Sequence, residues 1–181
     1  MKKPAIFLDR DGVINRDRLD FIKSWEEFEF LPTALQALAI LAKTAYHIVV
    51  VSNQSGVGRG LLSKATLGEI HEKMIERIQT NGGRIDGVFY CPHVLGEGCS
   101  CRKPEPGLFL TAAQELGIDL DASWSVGDRY RDVQAASRAG IRAILLYREL
   151  PDSTEIPETD LKFVRAADLL DATRIIAEGD F

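Results

Sequence analysis

The chain lacks any run approaching the ~20 apolar residues that a membrane-spanning helix needs. No span is therefore expected among its 181 residues. It also lacks a basic surplus: 22 Lys and Arg stand against 27 Asp and Glu, a formal net charge of −5. That balance argues against nucleic acid as a partner, which would select a cationic face. Cysteine is scarce, with three residues crowded between positions 91 and 101. An odd number in one short stretch is a poor disulfide framework and fits a reducing compartment. Met1-Lys2-Lys3-Pro4 runs straight into an apolar segment, which leaves no room for a cleaved signal peptide. A cytoplasmic monomer is the expectation. Internal repeats and low-complexity tracts are absent as well. What the chain does have is apolar content: 45% hydrophobic residues suffice for one domain, 1–181, with a core.

Short apolar runs alternate with helical patterns, which predicts an α/β fold. Strands are expected at about 4–9, 47–51, 85–90, 122–127 and 142–147. Leu35, Leu38 and Leu41 mark a helix. Ser63 can cap a second helix through about Gln79, with Ile70, Met74, Ile75 and Ile78 on one face and Asn81-Gly82-Gly83 at its end. Further helices are expected at 106–116, 131–139 and 166–177, and a loop rich in acids and proline at 149–160. Residues 12–46 and 56–102 leave no space for a large inserted cap.

Three of the apolar runs end in polar residues that carry chemistry. Ala5-Ile6-Phe7-Leu8 runs into Asp9-Arg10-Asp11-Gly12, His47 to Val51 into Ser52-Asn53-Gln54, and Trp124-Ser125-Val126 into Gly127-Asp128, with Asp132 four residues on. Runs without alternation read as strands buried on both faces, hence as a parallel sheet. Ligands of such sheets bind outside the carboxyl ends of the strands. The acids should therefore converge on one crevice, where a cation would relieve their repulsion. Oxygen ligands without a dedicated cage suit Mg²⁺, and Mg²⁺ usually accompanies phosphate. Asp9 and Asp11, two apart in an extended chain, point to one side roughly 6–7 Å apart. One carboxylate can then attack phosphorus while the other moves a proton.

Cys91, His93, Cys99 and Cys101 form a second constellation, three thiols and an imidazole within eleven residues. They fit a closed, tetrahedral and therefore structural Zn²⁺ site. Zinc there would pin the loop that ends in Arg102 and Lys103. The remaining signals are weaker. His47, His71, Trp25, Trp124 and Arg10 read as structural or solvated. Asp132 has two readings: it orients Lys103 or Ser52, or it caps the following helix.

Asp9-Arg10-Asp11-Gly12-Val13, Ser52-Asn53-Gln54, Arg102-Lys103-Pro104 and Gly127-Asp128-x-x-x-Asp132 resemble, in order, the four motifs of the haloacid dehalogenase superfamily of phosphohydrolases. The resemblance implies a Rossmann-like three-layer sandwich with a mainly parallel central sheet, a zinc-bound loop and no large cap domain. It implies Asp9 as nucleophile and Asp11 as general acid and base. Ser52 and Lys103 would neutralise the phosphoryl oxygens. Mg²⁺ would be held by the Asp9 carboxylate, the Asp11 backbone carbonyl and Asp128.

The zinc loop resembles that of the branch containing heptose bisphosphate and histidinol-phosphate phosphatases. Asn53-Gln54-Ser55-Gly56-x-x-Arg59-Gly60, Asn15-x-Asp17 and Glu27-Phe28-Glu29-Phe30 resemble the heptose side. The five residues between His93 and Cys99 resemble the histidinol side, and Val13 stands where Thr is frequent. A sugar bisphosphate is the expected substrate, with another small phosphorylated metabolite as the alternative. Substrate contacts are expected from Asp17, Asp20, Asn53, Gln54, Arg59, Arg102 and Arg129, with Arg102 taking a second phosphate. A zinc-stabilised binding module without catalysis would be expected to have lost a motif residue, and none is missing.

Overall fold

The computed structural model of the protein describes residues 2–146 and 160–179. Six strands form one sheet: β1 (Lys3–Leu8), β2 (His47–Asn53), β3 (Gly87–Cys91), β4 (Ile118–Gly127), β5 (Arg142–Leu146) and β6 (Val164–Ala166). Their order is β3-β2-β1-β4-β5-β6, and every neighbouring pair is parallel. This is the Rossmann-like order, in which the winding reverses between β1 and β4 and opens a crevice at their carboxyl ends.

Side-chain alternation along β1 explains the layers. Ile6 and Leu8 join one core with Leu38 and Leu41 of α1 (Ala34–Leu41), Leu67, Ile70, Met74 and Ile78 of α3 (Lys64–Thr80), and Leu169 and Ile176 of α6 (Leu169–Glu178). Between α1 and α3 lies a single turn of helix, α2 (Ser55–Gly58). Ala5 and Phe7 face the other core, with Phe109 and Ala112 of α4 (Gly107–Leu116) and Val133 and Ala136 of α5 (Tyr130–Arg138). Phe7 meets Phe109 edge to face at 5.0 Å. Both faces of the sheet are thus covered, and strands covered on both faces carry near-continuous apolar runs.

The caps follow the sequence. Ser63 Oγ accepts from the Thr66 N–H at 2.9 Å, and Gly117 ends α4 in the left-handed region at φ 67°. Two elements differ from expectation. β4 begins at Ile118, and α6 begins at Leu169, behind Asp168 as its cap. β6 and α2 had no sequence signal: three residues show no alternation, and one turn shows no helical period. The loop expected over 149–160 lies, but for residue 160, outside the described residues.

After β1 the chain turns sharply. Gly12 adopts φ 86°, and its N–H donates to the Asn15 carbonyl at 2.7 Å. Residues 14–16 then pair with 29–31 through Arg16 N–H to Glu29 O and Leu31 N–H to Ile14 O. This pairing brings residues 17–22 back over the carboxyl edge of the sheet. One 3-10 turn (Trp25–Glu27) and α1 are the helical elements between β1 and β2, so no cap domain is inserted there.

Candidate active site

Asp9 emerges from the end of β1, its N–H held by Val126 O of β4 at 3.0 Å. Its carboxylate is buried at 6% exposure and lies 3.1 Å from the Lys103 ammonium. The Asp9 carboxyl is raised to about 6: burial pushes it up most, Lys103 pulls it down, and Asp132 and Asp11 push it up. Lys103 comes from the loop after the cysteine cluster. Its ammonium also lies 2.6 Å from Asp132 Oδ1 and donates to Val51 O at 2.9 Å. Burial disfavours its charge, but Asp132 and Asp9 outweigh that and raise it above the ordinary lysine range. Lys103 is therefore a fixed, fully charged cation beside the nucleophile candidate.

Asp132 does two of the things the sequence allowed. One oxygen holds Lys103, and the other accepts the N–H of Arg129 at 3.0 Å, at the start of α5. Gly127 makes room for this, since a Cβ there would stand 2.2 Å from Asp132 Cβ. Oxygens of Asp9, Asp128 and Asp132 lie within 4.8 Å of one another, all three residues buried. Three carboxylates around one ammonium leave excess negative charge, so a hard divalent cation fits. With both Asp132 oxygens engaged, Asp9 and Asp128 are the carboxylates suited to hold it.

Asp11 is fixed from three sides. Arg10 Nη2 and Asn15 Nδ2 donate to Oδ1 at 3.0 and 2.9 Å, and Gln54 Nε2 donates to Oδ2 at 2.7 Å. Burial pushes its carboxyl up, but the Arg10 charge and these donors outweigh it and hold it below the usual carboxylate range. Gln54 Nε2 also lies 2.9 Å from Ser52 Oγ, linking the end of β2 to Asp11.

These groups floor a cavity of about 250 Å³, lined by Asp9, Asp11, Asp17, Ser52, Gln54 and Lys103, with Arg18, Arg59, Arg102 and Arg131 around them. Several guanidinium groups and one ammonium facing a small hollow suit an anion with more than one phosphate. Arg18 comes from the charged loop behind the nucleophile, from which substrate contacts were expected, whereas Arg131 was not expected there. The fold, not a motif, turns Arg131 inward, and it had no sequence signal beyond its charge. Asn53 reaches the lining, yet its side-chain amide is engaged with the Lys103 backbone: Lys103 N–H to Oδ1 at 3.0 Å, and Nδ2 to Lys103 O at 3.1 Å. Asp20 and Arg129 lie outside the lining. Asp20 pairs with Arg18 and Lys23 at 3.1 and 2.7 Å, and Arg129 reaches Asp17 at 3.3 Å.

Cys91, His93, Cys99 and Cys101 gather with one ligand atom each within 4.8 Å of the others, and no disulfide joins the cysteines. Separations of 3.6 Å between Cys91 and Cys99 sulfurs, and 3.4 and 3.2 Å from His93 Nδ1 to Cys91 and Cys101, approach the edges of a zinc tetrahedron. Burial pushes the Cys91 thiol up strongly, so a thiolate there requires a cation. The cluster also organises its surroundings. Arg102 donates to His93 O at 3.1 Å, Gly58 N–H donates to Pro92 O at 3.0 Å, and Gly107 packs where a Cβ would strike Ser100 O.

Comparison with known proteins gives a consistent picture. A family model described as HAD-hydrolase-like matches residues 100–172. D-glycero-β-D-manno-heptose-1,7-bisphosphate 7-phosphatase of Bordetella bronchiseptica is 42% identical over 163 residues, covering 84% of this chain and 91% of that one. The enzyme of the same name from Pseudomonas aeruginosa is 36% identical over 176 residues, covering 92% and 98%. Among solved structures, the D,D-heptose 1,7-bisphosphate phosphatase of B. bronchiseptica, complexed with magnesium and phosphate, superposes with a TM-score of 0.85 at 37% identity, covering 99% of both chains.

Proposed function

The chain belongs to the haloacid dehalogenase-like hydrolases, among relatives named as heptose bisphosphate phosphatases, and from that premise we propose that it removes the 7-phosphate of D-glycero-β-D-manno-heptose 1,7-bisphosphate. The observation that carries this is the Asp9 carboxylate, buried 3.1 Å from Lys103 at the floor of a cation-lined cavity. The names of these relatives outweigh the short zinc loop as a guide to substrate.

In the proposed reaction an Asp9 oxygen forms a bond to phosphorus as the bond to the C7 oxygen breaks, and Asp11 gives that oxygen its proton. Water then attacks phosphorus, Asp11 takes the proton back, and the Asp9–phosphorus bond breaks to release phosphate. Lys103 and Ser52 hold the phosphoryl oxygens, so the attack of a carboxylate on an anion is not opposed by bare like charge. An arriving phosphate raises the Asp11 carboxyl by like-charge repulsion and favours the acid form used first. Mg²⁺, held by Asp9, Asp128 and the Asp11 backbone carbonyl, would supply further positive charge at the phosphoryl group; the magnesium and phosphate in the B. bronchiseptica structure support this. Zn²⁺, held by Cys91, His93, Cys99 and Cys101, would be structural, since four protein ligands leave no position for water.

Arg102, with Arg59 beside it in the lining, takes the 1-phosphate. Asp17, Asn53, Gln54 and Arg129 shape the site by holding its charged groups, and Asp20 acts at most through Arg18. We take residues 1–181 as one domain, a monomer working in the cytoplasm, where thiols stay reduced for metal binding.

Assay of the purified protein with Mg²⁺ against the heptose bisphosphate, histidinol phosphate and simple sugar monophosphates tests the proposal. Phosphorus NMR should show the 7-phosphate lost and the 1-phosphate kept, at the highest kcat/KM of the panel. A higher kcat/KM for histidinol phosphate would reassign the substrate.

A further inference from the structure

Arg10 and His71 have no part in the chemistry above, yet Arg10 is 1% exposed and His71 6%. A buried guanidinium is costly unless its donors are satisfied. Arg10 Nη2 donates to Asp11 Oδ1 at 3.0 Å, and Nη1 lies 3.2 Å from Nε2 of His71 in α3. Arginine nitrogens only donate, so Nε2 accepts and the ring proton sits on Nδ1. Burial, then the Arg10 charge, hold His71 down to about 4 against a smaller opposing pull from Asp11, so the ring is neutral and able to accept. The ring is braced edge to face by Tyr90 at 5.8 Å, and Arg10 Cζ lies 5.9 Å from the centroid of Phe28.

We propose that His71 is a positioning residue for the proton-transfer step: by anchoring one arm of Arg10 it fixes the other arm on Asp11, and so aims the Asp11 carboxylate at the departing oxygen. The proposal rests on the reading of Asp11 as general acid. Three side chains hold Asp11, and Arg10 is the charged one. Without an acceptor for Nη1 the guanidinium gains rotational freedom, and Oδ1 loses a donor of fixed direction. Asp9 is insulated from this, because Arg10 meets it through the backbone N–H at 2.9 Å. His71 should therefore matter where the leaving oxygen needs a proton, and little where it does not.

The test compares kcat/KM, with Mg²⁺, for an alkyl phosphate and for p-nitrophenyl phosphate, whose weakly basic leaving group needs no acid. His71→Leu should lower the alkyl value about tenfold or more, part of the 10²–10⁴ available to general acid catalysis, and change the aryl value less than about threefold. His71→Gln, whose carbonyl can accept from Arg10, should restore most of the alkyl rate. If His71→Leu does not fold, His71→Asn, too short to reach Arg10, takes its place. Equal loss on both substrates, or no loss on the alkyl ester, overturns the proposal. Asp11→Asn in the same assay separates the two ideas. If it too shows no dependence on leaving group, the acid role itself fails; if it shows that dependence and the His71 variants do not, the relay alone fails.

Discussion

The side-chain amide of Asn53 grips the backbone of Lys103 on both sides, accepting its N–H at 3.0 Å and donating to its carbonyl at 3.1 Å. The end of β2 thereby fixes a loop fifty residues further along the chain, the one that delivers the Lys103 ammonium to Asp9. Asn53→Ala leaves both backbone groups without this partner. It should cost roughly 1–3 kcal/mol in stability, and should lower kcat on the order of tenfold or more by loosening Lys103. Asn53→Asp keeps the acceptor, loses the donor and should recover only part. Chemical denaturation and steady-state kinetics measure the two effects separately.

Gly127 and Gly117 separate site damage from backbone damage. A methyl at Gly127 would collide with Asp132, whereas at Gly117 it meets nothing within 4 Å but must adopt φ 67°. Gly127→Ala should therefore displace Asp132 and Lys103 and reduce kcat/KM by about 10²-fold. Gly117→Ala should lose about 1 kcal/mol of stability, seen as a lower Tm, with kcat unchanged.

Much of the frame was legible because strands covered on both faces must be continuous apolar runs. Those of β1 (5–8), β2 (48–51) and β5 (143–146) are continuous, and the first two end where the fold places chemistry; in β4 serine breaks the run at 125, just before Gly127 and Asp128. The cysteine cluster was legible from spacing alone, since all its ligands lie in one short stretch. What failed to show was set by tertiary placement. Arg131 looks like any helix-surface cation until α5 is docked on the crevice. Arg10 does alternate away from Asp9, as expected of an extended chain, but the turn at Gly12 brings Asp11 back onto its guanidinium. For Asp132 the two readings were not exclusive, because a carboxylate has two oxygens and the helix start lies beside Lys103.

The thiol and carboxylate sites should separate by metal chemistry. Thiolates favour zinc and carboxylates a hard cation, so protein made without added metal should carry about one zinc per chain by elemental analysis. Mild chelation should stop turnover, reversibly with Mg²⁺, before zinc is lost. Cys101→Ser should lose zinc and lower kcat through the loop carrying Arg102 and Lys103. Restoration of a magnesium-free enzyme by zinc would reverse these roles.

His71 should also leave a mark on stability. Its pKa is about 4 in the fold against 6.5 ordinarily, so the unfolded chain binds the proton more readily. The stabilisation is fully present above pH 6.5 and is lost as pH falls toward 4, by roughly 2 kcal/mol at pH 5. Asp9, raised to about 6, acts in the opposite sense: without metal it favours the fold as pH falls. The difference between wild type and His71→Gln in urea unfolding at pH 7.5 and 5 therefore isolates the histidine.

The covalent step is the centre of the account, and Asp11→Asn exposes it most directly. That variant keeps the nucleophile but lacks the base that activates water, so phosphoryl-enzyme should accumulate. Acid quenching after incubation with p-nitrophenyl phosphate, whose leaving group needs no acid, and Mg²⁺, followed by peptide mass spectrometry, should find one added phosphoryl group on Asp9. The double variant with Asp9→Asn should carry none, and Asp9→Asn alone should fold but not turn over. A folded Asp9→Asn enzyme with more than a few per cent of wild-type kcat, or label on any other residue, would contradict the mechanism.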